Sequence, residues 1–321
     1  MNILVTGGCG FIGHNVVANL QSSGHDVVII DNHTTYGIIP QAELDHLLAE
    51  RMKKITSPIY PCSIESAATA DFIINKHNTD VIVHMASFPR QKVVNSDPAW
   101  GSRTMMEGLL NLLESAKRHR VRRFVYISSS MVYGNFNDDV KENAACNPEG
   151  QYGLMKLAGE WLVKDYGRRT GMEVVVIRPS AVYGPLDVED RVVAKFMLTA
   201  MRGGTLSVNG ANEALDFTYV TDLATGIVSA ATNPSAANHT YNLTRSHSIS
   251  LLEAAETIVK IVGSGSIKVN ARDLNFPSRG ALNIDAARAD LNYMPCIDIA
   301  EGFQKYYESI ANSVLWSTKT V

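Results

Sequence analysis

The sequence predicts an α/β protein whose larger part is a doubly wound parallel sheet, followed by a smaller C-terminal α/β lobe. Three observations support this fold class. Short apolar segments alternate with helix-like segments over residues 1–180, a glycine-rich turn follows the first apolar segment, and an acidic residue ends the second. Such alternation, with ligand-binding signals at the ends of strands, is typical of a sheet covered by helices on both faces.

The strands of this sheet are predicted by five short runs of mostly β-branched, apolar residues. Their hydrophobicity is continuous rather than alternating, as expected for strands that are buried on both faces. The runs span residues 3–5, 27–30, 81–83, 124–127 and 174–177. Between them, apolar residues recur at helical spacing, and we predict helices at 41–54, 102–117 and 152–169.

The alternation stops after about residue 180, where glycine and Asn-Pro pairs divide the chain into short segments. Two of these segments, 251–261 and 285–291, have helical patterns. We therefore divide the chain into a cofactor-binding domain, 1–180, and a substrate-binding lobe, 181–321. Because no linker separates the two, we expect the lobe to be partly interwoven with the domain, with segments at about 205–245 as candidates to return to it.

The composition is that of an ordinary soluble globular protein, with 45% hydrophobic and 19% charged residues and a net charge of −3. Interspersed charges of both signs give no indication of a nucleic-acid or membrane partner. The four cysteines form no C-x-x-C pair and the nine histidines no H-E-x-x-H motif, so we predict no disulfide framework and no metal site. The chain opens with a strand rather than a basic leader and apolar stretch, and a cytoplasmic location is the expectation.

The glycine-rich turn contains Gly7, Gly10 and Gly13 between the first strand and a predicted helix. Glycines permit a tight turn and let backbone N–H groups approach a pyrophosphate, which the positive end of the helix also attracts. Three glycines in a loop are common in proteins, and the strand before and helix after them make this pattern specific. The turn therefore predicts a Rossmann-type dinucleotide site.

Asp31 ends the second strand, 18 residues after Gly13. A carboxylate at this point can accept hydrogen bonds from the adenosine ribose hydroxyls and would repel a 2′-phosphate, which favours NAD over NADP. The alternative is a turn in which Asp31 and Asn32 bond only to local backbone groups. The glycine turn beside it favours the cofactor interpretation.

A candidate catalytic pair, Tyr152 and Lys156, opens the third predicted helix. Residues four apart lie on one face of a helix, so the phenol and the ammonium group lie on the same side. A nearby cation lowers the pKa of a phenol from its usual value of about 10, and the product is a general base for an alcohol. The alternative, a surface tyrosine with a solvated lysine, is common for isolated Y-x-x-x-K matches. It is disfavoured here because the pair follows the 124–127 strand in the order that a nucleotide-binding fold requires.

Serines 128–130 follow the 124–127 strand directly. A hydroxyl at the C-terminal end of a strand can hydrogen-bond the same substrate oxygen as the tyrosine and so position it. Serines at a strand end are also frequent loop and capping residues. The residues alone do not choose between these roles.

The ordered set of motifs resembles the extended short-chain dehydrogenases/reductases, and within them the NAD-dependent sugar-nucleotide epimerase/dehydratase family that includes UDP-glucose 4-epimerase. The resemblance covers nearly the whole chain. Its anchors are residues 6–13, 31–32, 84–87, 128–134, 152–156, 178–185 and 216–224. It implies an NAD cofactor, a nucleotide-sugar substrate, and a homodimer formed through the helices corresponding to 98–119 and 150–169.

Carried over residue by residue, the resemblance assigns the catalytic serine to Ser129, the base to Tyr152 and the lysine that holds the nicotinamide ribose to Lys156. The implied NAD contacts are Gly7, Gly10, Phe11, Ile12, Gly13, Asp31, Asn32, Ser63, Ile64, Met85, Ala86, Ser87, Ser128, Tyr152, Lys156 and Pro179. The implied substrate contacts are Arg90, Ser130, Met131, Ala181, Lys195 and Arg279.

The sequence departs from the family at several positions. The family's 4,6-dehydratases have Asp and Glu where this chain has Ser130 and Met131, neither of which is a general acid or base near neutral pH. Dehydration by the family's route is therefore disfavoured.

Two further departures lie near the cofactor. Ser63 stands where the family often has an aspartate near adenine, and Met105 stands where it has the asparagine of an N-x-x-G motif.

Two usual diphosphate contacts, an asparagine and an arginine, are Ala181 and Leu215 here, while Arg279 matches a later family arginine that can grip phosphate. Three further cations, each of which an ordinary surface role explains as well, are candidates to supply the missing charge: Arg90, Lys92 and Lys195.

The leading hypothesis is an NAD-dependent epimerase of a nucleotide-activated sugar, which oxidises the sugar transiently to a ketone and returns hydride to the opposite face. The alternative is a sugar-nucleotide dehydrogenase or reductase with a net redox change. A 4,6-dehydratase and a non-catalytic NAD-binding protein are weaker alternatives. The sugar, the nucleotide base and the reacting carbon stay open.

Overall fold

A computed structural model describes residues 1–37, 39–88 and 91–313. Within these residues, seven parallel strands form the central sheet, in the order β11-β6-β5-β4-β1-β2-β3. In chain order the strands are β1 (Asn2–Thr6), β2 (Asp26–Ile30), β3 (Ile59–Tyr60), β4 (Val81–His84), β5 (Arg123–Ile127), β6 (Glu173–Pro179), β7 (Val182–Tyr183), β8 (Thr205–Asn209), β9 (Ala214–Asp216), β10 (Thr218–Tyr219), β11 (Thr240–Leu243), β12 (Ser248–Ser250) and β13 (Ser266–Asn270). The predicted α/β fold class is confirmed, and all five predicted strands are present.

The helices cover both faces of the sheet and form most of the second lobe. In chain order they are α1 (Gly13–Ser22), α2 (Gln41–Met52), α3 (Ala67–Lys76), α4 (Gln91–Ser96), α5 (Pro98–Ser102), α6 (Gly108–Arg118), α7 (Gly150–Thr170), α8 (Val192–Met201), α9 (Val220–Thr232), α10 (Leu251–Val262), α11 (Asp285–Leu291) and α12 (Ile299–Ala311). Short 3₁₀ turns lie at Ser130–Tyr133 and Pro234–Ala236.

The sheet separates two hydrophobic layers, which explains why its strands lack an alternating pattern. In β1, Ile3 and Val5 are buried against helices on one face, while Leu4 is buried against helices on the other. Successive side chains of a strand point to opposite faces, so a strand with two apolar layers must be apolar throughout.

The predicted helices are present, with one difference. The pattern at 102–117 predicts one continuous helix, whereas the structure has a π-helical turn at Arg103–Glu107 before α6. Apolar spacing does not reveal this wider turn, because the side-chain pattern is almost the same for the two hydrogen-bond registers.

The segment after residue 180 contributes to both parts of the molecule. Strand β11 pairs with β6 at the edge of the central sheet, and α9 packs on α1. Helices α8, α10 and α12 enclose a third hydrophobic core with the short strands of the second lobe. Within the described residues, no helix combines the length and the hydrophobicity that crossing a membrane requires.

Candidate active site

A cleft of about 1150 Å³ lies over the C-terminal ends of the central strands, with the second lobe as its opposite wall. The C-terminal edge is where open α/β sheets bind ligands. Every site residue predicted from the sequence lines this cleft, with one exception: Arg90 lies outside the described residues. Lys92 and Leu215 line it as well, whereas Met105 is buried in the core beside it.

The turn after β1 packs too closely against neighbouring backbone to admit side chains at two of its glycines. Gly7 has a φ of +73°, and a Cβ there would lie 2.8 Å from the Ala86 backbone nitrogen. A Cβ on Gly13 would lie 2.1 Å from the Gly7 carbonyl oxygen. Both positions require glycine, because a contact of that length is sterically forbidden and because φ is positive at Gly7. The result is a tight backbone turn that lines the cleft at the start of α1.

The carboxylate of Asp31 is oriented by two backbone groups. Oδ2 accepts a hydrogen bond from the Cys9 nitrogen at 3.0 Å, and Oδ1 accepts one from the His33 nitrogen at 2.9 Å. The local turn bonding expected of a strand-end aspartate is therefore present. A carboxylate has about four acceptor sites, so these two bonds leave capacity for the hydroxyls of a ribose.

Tyr152 and Lys156 lie one turn apart near the start of α7. The Lys156 Nζ lies 5.8 Å from the centre of the Tyr152 ring and donates a hydrogen bond of 2.7 Å to the Ile127 carbonyl oxygen at the end of β5. The Ser129 side chain is near enough to the Tyr152 phenol to lower its pKa. The structure thus brings the three residues of the predicted catalytic set together.

Burial dominates the electrostatics of this set. It raises the pKa of Tyr152, while the nearby Ser129 side chain and the positive charge of Arg191 act in the opposite direction. Burial also lowers the pKa of Lys156 to about 7, against the opposing effect of the negative charge of Glu160. The sequence argument predicted a phenol made acidic by its neighbouring ammonium group. In the protein alone the pKa moves the other way, because desolvation disfavours both charged forms.

A buried ion-pair network behind the catalytic set was missed at the level of sequence. Glu160 Oε1 accepts a hydrogen bond from the Ser128 hydroxyl at 2.6 Å, and Arg178 donates to both carboxylate oxygens at 2.9 and 2.7 Å. Arg178 Nη1 also donates to the Tyr133 hydroxyl at 2.8 Å. Glu160 lies four residues after Lys156. This spacing places the two side chains on one face of the helix and could have indicated that Glu160 belongs to the site.

Arg51 is a second missed residue, and it joins the two walls of the cleft. Its buried guanidinium donates to the Cys9 carbonyl oxygen at 3.3 Å and to the Leu186 carbonyl oxygen at 2.7 Å. The glycine turn and the loop before α8 are therefore connected through one side chain. Nothing in the sequence around Arg51 indicates this contact, because its partners are 42 and 135 residues away.

The residues that the sequence assigned to the substrate include both polar and apolar side chains. Ser130 donates to the Ser180 hydroxyl at 3.2 Å, and the Met131 sulfur lies 3.8 Å from Arg279 Nη1. Ala181 has a φ of 34°. Lys195 is largely exposed, and its Nζ lies 3.3 Å from Asp190 Oδ1. This is the arrangement of an ordinary surface cation.

The Arg279 guanidinium lies in the wall of the cleft. Its Nε has no hydrogen-bond partner within the described residues. Burial lowers its pKa to about 10, against the opposing effect of the negative charge of Glu213. A partly buried guanidinium retains its charge at neutral pH, so an anion in the cleft would stabilise it.

Comparison with known proteins shows which family and which fold the chain matches. The model of the NAD dependent epimerase/dehydratase family matches residues 3–244. A Bacillus subtilis protein described as an uncharacterized UDP-glucose epimerase is 28% identical, with 94% of this chain and 95% of that protein covered. UDP-glucuronic acid decarboxylase 1 of Arabidopsis thaliana is 30% identical, with 98% of this chain and 71% of that protein covered. The crystal structure of UDP-glucuronic acid 4-epimerase from Bacillus cereus, in complex with UDP-glucuronic acid and NAD, superposes with a TM-score of 0.88 at 25% identity over 97% of this chain and 99% of that one.

Proposed function

The chain belongs to the NAD-dependent epimerase/dehydratase family of extended short-chain dehydrogenases/reductases, and from this premise we propose that it is an epimerase of a nucleotide-activated sugar. The observation that carries the proposal is that Ser129, Tyr152 and Lys156 line one cleft together with the glycine turn and Arg279. A general base, a cofactor site and an anion site in one cleft are what redox chemistry on a phosphorylated sugar requires.

The residues present fit NAD. The glycine turn lines the cleft at the start of α1, and the helix N-terminus favours the negative charge of a pyrophosphate there. The Asp31 carboxylate has acceptor capacity for the adenosine ribose, and Lys156, which lines the same cleft, would hold the nicotinamide ribose. When bound, NAD supplies reversible hydride acceptance and the positive charge of the oxidised nicotinamide ring.

Tyr152 has the role of general base in this proposal. Its phenolate removes the proton from a ring hydroxyl of the sugar, and the same oxygen returns that proton after the sugar has turned. Ser129 donates a hydrogen bond to the reacting oxygen and holds it beside the phenol. The ammonium group of Lys156 favours the phenolate, although burial has brought the pKa of Lys156 itself to about 7.

Epimerisation fits the described cleft better than dehydration. Ser130 is hydrogen-bonded to Ser180, and Met131 faces Arg279. Neither side chain can exchange a proton with a substrate carbon near neutral pH. A dehydrogenase or reductase would use the same three catalytic residues, and only the redox stoichiometry separates it from an epimerase.

Arg279 is the residue that we assign to the substrate's phosphate. Its guanidinium lines the cleft, and its Nε has no hydrogen-bond partner within the described residues. A guanidinium is the side chain best able to bind a phosphate through two parallel hydrogen bonds. The names of the relatives supply the substrate class, since the B. cereus structure holds UDP-glucuronic acid. A UDP-sugar is therefore the first substrate to test.

The assembly, the location and the domain boundaries are further proposals. Leu110 on α6 and the residues Leu154 and Trp161 on α7 are exposed, which supports a homodimer that buries these two helices. The free cysteines support a reducing, cytoplasmic environment. We place the NAD-binding domain at 1–180 and the substrate lobe at 181–321, with β11 and α9 returning to the domain.

The proposal is tested on the purified protein in two steps. The protein is denatured, and any released dinucleotide is identified by mass; an epimerase that regenerates its cofactor is expected to release NAD. UDP-sugars are then incubated with the protein and followed by NMR and by absorbance at the NADH band. Interconversion of two sugars without net NADH supports an epimerase, whereas stoichiometric NADH indicates a dehydrogenase and contradicts the proposal.

A further inference from the structure

The guanidinium of Arg279 makes few contacts that orient it. Its Nε has no hydrogen-bond partner within the described residues, and its Nη1 lies 3.8 Å from the Met131 sulfur, which is a weak acceptor. The position of the guanidinium therefore depends mainly on the backbone that carries it. Whatever fixes that backbone decides where a phosphate-binding group stands in the cleft.

The residue before Arg279 is attached to the loop that follows the catalytic serine, Ser129. The Ser278 nitrogen donates to Asn135 Oδ1 at 2.7 Å, and the Ser278 carbonyl oxygen accepts from the Phe136 nitrogen at 2.9 Å. Both backbone groups of Ser278 are therefore bonded to this loop. One of the two bonds depends on a side chain, that of Asn135.

The residues after Arg279 pack on the same loop. A Cβ on Gly280 would lie 2.5 Å from the Asp138 nitrogen, so the two backbones touch and only glycine fits. The Ala281 nitrogen then donates to Asp138 Oδ1 at 2.6 Å. The segment that carries the arginine is thus fastened on both sides of it.

Asn135 also reaches the helix that carries the general base. Its Nδ2 donates to Glu149 Oε1, and Glu149 immediately precedes the first residue of α7. A Cβ on Gly134 would lie 2.0 Å from the Asn147 carbonyl oxygen, so the loop is also packed closely on the chain that leads into the helix. One amide side chain therefore joins the Arg279 segment to the start of α7. Asn135 is exposed and does not belong to the described residues that line the cleft.

We propose that Asn135 is a positioning residue for phosphate binding, which keeps the Arg279 guanidinium in register with Tyr152. This inference rests on the proposed function, which assigns Arg279 to the substrate's phosphate. An epimerase has to keep the phosphate fixed while the sugar turns, so the protein must set the distance between the phosphate site and the base. The bonds from Asn135 to Ser278 and to Glu149 set that distance without touching the substrate.

The first test measures UDP binding to the NAD-loaded protein by calorimetry. Asn135→Ala removes both bonds and is expected to weaken UDP binding roughly tenfold, the effect of about one good hydrogen bond. Asn137→Ala is the matched control, because this exposed asparagine of the same loop makes no side-chain hydrogen bond within the described residues. The control is expected to keep wild-type affinity, and equal effects of the two changes would overturn the proposal.

A double-mutant cycle separates positioning from a general loss of structure. Because Asn135 acts through Arg279, adding Asn135→Ala to Arg279→Ala is expected to weaken UDP binding by less than about twofold further. If the tenfold loss is repeated in the absence of the arginine, Asn135 acts by another route and the assignment is wrong.

Exchange of the amide and the carboxylate gives a second, independent measurement. Asn135→Asp keeps an acceptor for Ser278 but sets a second carboxylate against Glu149, so UDP binding is expected to weaken. Adding Glu149→Gln restores the donor and acceptor in reverse and is expected to return the affinity to within about twofold of the wild type. If Asn135→Ala does not fold, this comparison decides: no recovery on adding Glu149→Gln contradicts the proposal.

Failure of the proposed function can be distinguished from failure of this inference. A protein that binds UDP but converts no nucleotide sugar contradicts the function, while the cycle and the exchange still measure the role of Asn135. If Arg279→Ala leaves UDP affinity unchanged, Arg279 does not bind the phosphate. This inference then falls with that assignment, even if the enzyme turns over its substrate.

Discussion

The buried ion pair behind the catalytic residues allows a quantitative test through Glu160→Gln. Glu160 is fully buried and Arg178 is 3% exposed, and two hydrogen bonds of 2.7 and 2.9 Å join them. The amide keeps the shape of the carboxylate but leaves Arg178 with an uncompensated charge. Removing one partner of such a pair costs about 3–5 kcal/mol of the free energy of unfolding. The same change removes a negative charge that raises the pKa of Lys156. The pKa of Lys156, about 7 in the wild-type protein, is therefore expected to fall in the variant.

The loss of stability is measured by urea denaturation, with Asp165→Asn on the same helix as the matched control. The Asp165 side chain is 41% exposed and pairs with two exposed arginines of the same helix, Arg168 at 3.3 Å and Arg169 at 2.5 Å, so its loss is expected to cost about 1 kcal/mol or less. For an active enzyme, the pH profile of kcat reports the second effect: less of Lys156 is charged at pH 7, and activity there falls. If Glu160→Gln lowered the free energy of unfolding no more than Asp165→Asn does, the argument that the two buried charges depend on each other would be refuted.

Three further changes test other parts of the site. Tyr152→Phe is expected to lower kcat by about 10²–10⁴-fold while NAD content is retained, because only the proton-transfer group is lost; unchanged turnover would exclude Tyr152 as the base. Gly13→Ala is expected to abolish NAD binding, measured by the cofactor released on denaturation, because its Cβ would lie 2.1 Å from the Gly7 carbonyl oxygen; normal NAD content would show that the turn can adjust. Lys156→Met concerns stability and pH. The folded-state pKa of Lys156, about 7, is below its usual 10.5, so the unfolded chain binds more protons between these values and wild-type stability gains a contribution as pH rises through them. The free energy of unfolding, measured by denaturation at several pH values between 7 and 10, should therefore rise less with pH in the variant than in the wild type. An equal rise in the two proteins would contradict this.

The features that could be predicted from the sequence are those in which the important residues are close along the chain. The glycine turn needs only a strand, three glycines and a helix, and the structure has the turn as expected. Tyr152 and Lys156 are four apart on one helix, so their common face follows from helix geometry. Apolar runs buried on both faces indicated the parallel sheet before any pairing was known.

Other features depend on residues that are far apart in sequence. Strand β11 joins the sheet beside β6 across more than 60 residues, and its short sequence carries no signal for that pairing. Glu213 and Arg279 come from separate loops, and Arg51 connects the glycine turn to a loop 135 residues away.

The electrostatics of the catalytic pair show most clearly the difference between features set by neighbouring residues and features set by residues far apart in sequence. The spacing of four residues is enough to predict that a phenol and an ammonium group share one face of a helix. The protein that surrounds them comes from segments distant in sequence, and its packing raises the pKa of Tyr152 and lowers that of Lys156. Local spacing is a property of one helix, whereas desolvation is the sum of every segment that packs around a group and excludes water from it.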